Sequence, residues 1–345
     1  TAELNWQPHT LLEVKAFDLI SNIGRIAGDI QMRGKENIVG GVSFQLTDLA
    51  PLSEITTLDL AGQVGGEIHF EGSTFSCRAL GKNLKVNQFL STRADFDATQ
   101  MNILNPTSGT LKITSDEAYF RDIHFYTFNY DMGWNTHDWD YRLNATGDWK
   151  GPFNVATNGR LSFSPFKLTC QSLSGQVLGK EITLHSEASF EIGQDNFQLE
   201  NWDLSIGEGR FSIHSHLNKE SAALQMQASH FPLDFLTLYT ARLSLRGSTT
   251  LDVDLEGTPE TLEGHFNVIL EHADIVPAGS TSPIQTKGSL QAHVGNSTLQ
   301  LHSHLVATDE QFSEISLTVP LRFSLNPFHI TFPENDPISG QCTIV

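Results

Sequence analysis

The sequence predicts an all-β protein organised around one long continuous sheet, with very little helix. Three observations carry that expectation. Apolar and polar residues alternate strictly in many segments, the period-2 pattern of half-buried strands. A five-residue phrase of glycine, polar, apolar, polar, apolar recurs over the whole length. Helical periodicity is almost absent, so strand is expected over roughly 60% or more of the chain, far above the usual ~20–25%, a figure that selects long single sheets and solenoids.

The elements follow in chain order. Leu4 to Asp18 reads as irregular. Gly28-Asp29-Ile30-Gln31-Met32 is the first instance of the phrase, and it returns at Gly66-Glu67-Ile68-His69-Phe70, Gly109-Thr110-Leu111-Lys112-Ile113, Gly159-Arg160-Leu161-Ser162-Phe163 and Gly209-Arg210-Phe211-Ser212-Ile213. Gly264, Gly288 and Gly340 open three more. The spacing is irregular, which excludes a short-period solenoid with a fixed rung. A glycine is expected at the start of each strand.

Ile182, Leu184, Ala188, Phe190 and Ile192 alternate against Glu181, His185, Glu187 and Glu191. Near Asn201 the parity slips: Phe197 and Leu199 precede it, and Trp202, Leu204 and Ile206 follow. A bulge there keeps both halves facing one way. Short turns or plugs are expected near Leu49–Ile55 and Asp234–Tyr239, both too short for independent helices.

The clearest unit runs from Ala241 to Leu270. Leu251, Val253 and Leu255 share one parity, and Asp252, Asp254 and Glu256 the other. Gly257-Thr258-Pro259-Glu260 then turns the chain, because proline cannot donate to a ladder. Phe266, Val268 and Leu270 resume the apolar side after Gly264. Ile315 to Leu325 alternates over its whole length, with Pro320 marking an edge or a bulge.

Composition narrows the function. The net charge of -19 and pI near 5.0 exclude nucleic acid, which needs clustered Lys and Arg, and disfavour flat docking on an anionic membrane. Charged residues make up 18% and hydrophobic ones 39%, a balance typical of extracytoplasmic β proteins. Cys77, Cys170 and Cys342 are far apart, without a metal-knuckle spacing, so at most one disulfide is possible. No run of ~20 apolar residues and no leader is present. The chain begins without Met, so it is expected to be a fragment with any membrane anchor outside it.

Candidate chemistry is sparse. His214/His216 and His302/His304 form two His-Ser-His triplets that could chelate a metal. Their apolar neighbours hold the inward parity, so solvent-facing histidines without metal are the expected reading. Between Asp131 and Gly151, Trp134, Trp139, Trp149 and Tyr141 gather with acids. Asp138 and Asp140 could act as paired carboxylates of a polysaccharide-binding or polysaccharide-cleaving solenoid, with tryptophans as sugar platforms. Strand alternation, with the aromatics inward and the acids outward, explains the same pattern. No nucleophile elbow, phosphate loop or dinucleotide fingerprint occurs, so neither catalysis nor a cofactor is expected.

The run LRGSTTLDVDLEGTPETLEGHFNVILEHADI resembles a repeated signature of the TamB family, the inner-membrane component of the translocation and assembly module, within the AsmA-like group. Leu245, Gly247, Gly257, Thr258, Leu262, Gly264 and Ala273-Asp274 fill its places. The resemblance is best over residues 161–345. It implies one elongated domain over 1–345, a sheet curled into a taco-like trough with an apolar lumen. It further implies a periplasmic location with an inner-membrane anchor in a diderm bacterium, an outer-membrane Omp85-type barrel as partner, and phospholipid acyl chains as cargo. Family members are implicated in moving phospholipid outward and in assembling outer-membrane proteins, and none contributes catalytic residues. The expected lining is Ile182, Leu184, Phe190, Leu204, Ile206, Phe211, Ile213, Leu251, Val253, Leu255, Phe266, Val268, Ile315, Leu317, Val319, Leu321 and Phe323. Packing of the same residues under a second sheet, as a filled core, is the alternative that the sequence leaves open.

Overall fold

A computed structural model describes residues 3–7, 11–33, 37–101, 107–136, 138–238, 243–258, 260–277, 282–295, 297–307, 312–325, 328–331 and 337–344. The fold is all-β, and it divides into two units, Thr1–Ser162 and Phe163–Val345.

The first unit contains β1 (Glu3–Gln7), β2 (Leu11–Ile20), β3 (Gly24–Arg33), β4 (Asn37–Leu46), β5 (Leu60–Gly72), β6 (Thr74–Val86), β7 (Phe89–Met101), β8 (Ser108–Phe120), β9 (Ile123–Trp134), β10 (Trp139–Asp148) and β11 (Pro152–Phe163). Each pairs antiparallel with the next, giving a plain meander. The amino-terminal segment read as irregular is therefore β1 paired with β2. Alternation is masked there because Ala16, at φ 47°, inserts an irregularity between Val14 and Phe17.

The second unit contains β12 (Phe166–Val177), β13 (Lys180–Leu184), β14 (Ala188–Ile192), β15 (Phe197–Ile206), β16 (Gly209–Leu217), β17 (Ala222–Pro232), β18 (Leu243–Thr258), β19 (Thr261–Pro277), β20 (Ile284–Gly295), β21 (Thr298–Ala307), β22 (Phe312–Pro320), β23 (Arg322–Leu325), β24 (Phe328–Thr331) and β25 (Ser339–Ile344). β13 and β14 lie between β12 and β15 as two halves of one kinked strand. From β15 to β22 the meander is again sequential, and β25 takes the place beyond β22.

The long strand expected over Ile315–Leu325 is broken. β22 ends at Pro320, and the Leu321 N–H donates to the Ser297 carbonyl instead of extending the ladder. The chain then forms the separate two-stranded ladder of β23 and β24. Proline removes the donor that the next ladder bond needs, so the alternating pattern outlasts the strand.

The slip at Asn201 is a bulge. Pairing shifts between Leu199 and Trp202, and Asn201 sits at φ 57°, a region asparagine tolerates better than branched residues. In the first unit Asn83, Thr92, Glu117 and Tyr126 are skipped by the pairing on four adjacent strands. The register is the same on either side of each skip, and Asn83 and Glu117 sit there at φ 49° and 54°.

The recurring glycines are mostly not at strand starts. Gly264 and Gly288 lie inside β19 and β20 at φ +148° and +155°, and a Cβ at either would collide with a carbonyl oxygen on the neighbouring strand, that of Asp254 or His304. They permit close backbone approach within the ladder.

Both expected plugs are present, and Tyr239, the last residue of the second, lies outside the described residues. A 3-10 turn spans Ala50–Glu54, and Leu49 just before it packs with Leu84 and Ala94 in a buried cluster. α1 (Asp234–Thr237) carries the flanking buried residues Leu233 and Leu238, while Phe235 meets Phe231, which in turn meets Phe211. These caps cover only short stretches. Among the described residues no large side chain is fully buried. A sandwich would bury every second side chain of both layers, and that burial is not seen.

Candidate functional site

Register brings most of the expected lining onto one face of the second unit, in rows that run across the strands. One row reads Leu184, Leu204, Phe211, Ala228, Leu251, Val268, Leu290, Ser303 and Ile315. The next reads Trp202, Ile213, Met226, Val253, Phe266, Ala292, Leu301 and Leu317. A third reads Phe190, Leu199, Ser215, Leu224, Leu255, Gly264, Val294, Leu299 and Val319. Ile182 pairs with Ile206 on the same face. Because side chains alternate across a strand, these rows share one side of the sheet.

Two expected members fall outside. Leu321 lies beyond the end of β22, and Phe323 belongs to β23 in the separate ladder, its side chain outside the described residues. The break at Pro320 removes both from the rows.

Most of the face is half-buried, by neighbours on the same side. Val253 is 4% exposed and Val319 7%, whereas Phe211, Leu251, Phe266 and Leu317 keep intermediate exposure. At the kink between β13 and β14, Cys170, Leu184 and Ala188 form a buried cluster with Leu173, Trp202 and Leu204 against it, and the Trp202 Nε1–H donates to the Ser189 carbonyl at 2.8 Å. The indole polar atom is thus satisfied while its ring stays on the apolar side.

The first unit carries an apolar face of its own. Ile26, Phe44, Gly66, Ala79, Phe96, Ile113, Tyr130 and Leu143 stand in one cross-strand row. Burial pushes the Tyr130 phenol up from its ordinary pKa. These residues were missed at the sequence level because glycines and irregular positions interrupt the alternation, although Leu111 and Ile113 carried part of the signal.

The opposite faces are polar. In the first unit Glu67, Arg78, Asp97, Lys112, Asp131 and Arg142 alternate in sign across six neighbouring strands. Each directly opposed pair of unlike charge adds about 0.2–1 kcal/mol to the register. A hollow of about 510 Å3 opens over this face and includes Glu67, Arg78, Asp97 and Lys112. A larger hollow, about 1030 Å3, opens over the polar face of the second unit, with Asp203, Arg210, His214, Asp252, Asp254 and His265 in its lining. The linings also take in Trp202, Ile213, Ala228, Leu251 and Val253 from the rows of the second unit, and Gly66, Ala79 and Phe96 from the row of the first.

No family model, curated protein or solved structure matches this chain.

The residues considered for sugar chemistry do not assemble. Asp138 sits in the turn between β9 and β10, where its N–H donates to Asn135 Oδ1 at 3.0 Å, not on a strand beside Asp140. Asp140 accepts from Arg160 Nε at 3.3 Å across the ladder. Trp134 and Trp139 stack on each other across the hairpin, with ring centroids 5.4 Å apart. Trp149 lies at the far end of β10, a separation of about 30 Å at ~3.3 Å per residue, and donates to Asp122 Oδ2.

The histidines of both triplets take the polar parity, His214 opposite Gln225 and His302 opposite Gln291. No disulfide joins Cys77, Cys170 and Cys342, which are respectively half-buried, buried and exposed. Burial, reinforced by the Asp97 charge, raises the Cys77 thiol pKa.

Proposed function

We propose that this chain is a non-enzymatic lipid conduit, whose apolar sheet faces hold phospholipid acyl chains as they pass between two membranes. The observation that carries the reading is the set of cross-strand rows through Leu251, Val253 and Leu255. They form a broad greasy surface that the described residues leave without a covering layer. Exposing a sixteen-carbon chain to water costs on the order of ten kcal/mol at ~0.8 kcal/mol per methylene. A face of this kind lowers that barrier without needing catalytic groups. The polar, charge-patterned reverse face keeps the sheet soluble along its length.

The TamB-like phrase around Gly257 and Gly264 supports the rest of the proposal: a periplasmic bridge, an anchor outside this chain, an Omp85-type barrel as partner, and a share in outer-membrane protein assembly. Native mass spectrometry and lipid extraction of the purified chain test it. Co-purified phospholipid, displaced from the Leu317→Arg variant, is the expected result. A lipid-free chain that does not take up phospholipid from vesicles would remove the proposal.

A further inference from the structure

Most of the 14 histidines fall in the second unit, and register gathers several on its polar face. His265 on β19 stands directly opposite His293 on β20, and Asp254 on β18 stands opposite His265 from the other side. His302 pairs with Gln291, two residues from His293, which makes it a diagonal neighbour.

Directly opposed residues place their Cβ atoms about 4.5–5.5 Å apart, so with His265 held in place the His293 ring can turn to share one ion with it at the usual ~2.0–2.1 Å metal–nitrogen distance. Both side chains are exposed, and turning His293 takes no group out of a buried position. The His265 Nε2–H donates to Asp252 Oδ2 at 2.9 Å. A carboxylate can only accept, so the proton of the neutral ring sits on Nε2 and Nδ1 keeps its lone pair. In metal sites the same carboxylate–histidine contact fixes the tautomer and orients the ligand.

We propose that His265 and His293 form a cross-strand chelate for a divalent transition metal of the zinc or copper type, with water completing the shell and Asp252 as a positioning residue. Among the described residues no three such side chains already converge on one point, which is why two imidazoles and water are assigned. Imidazole donors select zinc or copper over magnesium or calcium, and the net charge of -19 draws cations to the surface.

Zinc titration of the untagged chain by calorimetry tests this, with thermal melting in the absence of zinc as the check on folding. Uptake near one ion per chain is expected. His265→Ala or His293→Ala should weaken it about tenfold or more, and Asp252→Asn about tenfold, the order seen when outer partners are lost. His216→Ala should leave it unchanged. His265→Gln replaces the alanine variant if that one melts early. No uptake by the wild type, or equal uptake by the variant lacking both imidazoles, overturns the proposal.

Discussion

Val253 stands directly opposite Phe266 on the neighbouring strand, and it is 4% exposed although no second sheet layer among the described residues lies over it. Its neighbours Met226, Leu251 and Leu255 share the same face, so side-by-side packing within one layer produces this burial. The centre of the apolar face is therefore a structural core as well as a surface, while residues such as Leu317 remain half-exposed.

That difference separates two substitutions that look equivalent in sequence. Val253→Asp places an unpaired carboxylate among apolar side chains and should cost about 3 kcal/mol or more, enough to lower expression. Leu317→Arg can extend its stem over the face and should fold while losing lipid uptake. Asp252→Arg, on the reverse face, should retain uptake. Urea denaturation together with lipid extraction distinguishes the three.

Gly264 and Gly133 make a matched pair. A methyl at Gly264 would collide with the Asp254 carbonyl, whereas nothing lies within 4 Å of a Cβ at Gly133. Gly264→Ala should destabilise by about 1–3 kcal/mol, and Gly133→Ala should stay within about 0.5 kcal/mol of wild type. Urea midpoints at constant slope measure both.

At Asn201, φ 57° is tolerable for asparagine or glycine and unfavourable for a branched residue. Asn201→Val should cost about 1–2 kcal/mol, and Asn201→Gly should be near neutral. If both behaved alike, the bulge that keeps Leu199 and Trp202 on one face would not depend on this conformation.

Asp203 accepts from Arg210, with Nε at 2.9 Å, and this hydrogen bond lowers the Asp203 pKa, helped by the Arg210 and His185 charges. A carboxyl whose folded pKa is depressed stabilises the protein above its unfolded value of about 4 and loses that contribution as pH falls through the folded value. Melting temperature should therefore fall less steeply with acidification in Asp203→Asn than in the wild type. Identical acid profiles would remove the pair from the acid response.

The sequence was most legible where strand alternation was uninterrupted. Leu251 to Leu255, the bulge at Asn201 and the two plugs at Leu49 and Asp234 all follow from local patterns that burial enforces. The strand end at Pro320 was half-legible, because proline signals an edge, a bulge or a termination equally well. What sequence could not supply was register between strands. The charge row from Glu67 to Arg142 and the pairing of His265 with His293 exist only once the strands are aligned. The β19–β20 connection is too long to fix that alignment by turn type. The role of Gly264 and Gly288 was hidden for the same reason, since the carbonyl each glycine admits belongs to a neighbouring strand.

The most direct measurement places a photocrosslinking residue at Leu251, Phe266 or Leu317 on the apolar face, and at Asp252 or Asn267 on the reverse face, in cells producing the chain in its native setting. Crosslinks to phospholipid are expected from the first three positions and not from the other two. Lipid captured equally from both faces, or from neither, would contradict the assignment of the apolar rows as the lipid-bearing surface.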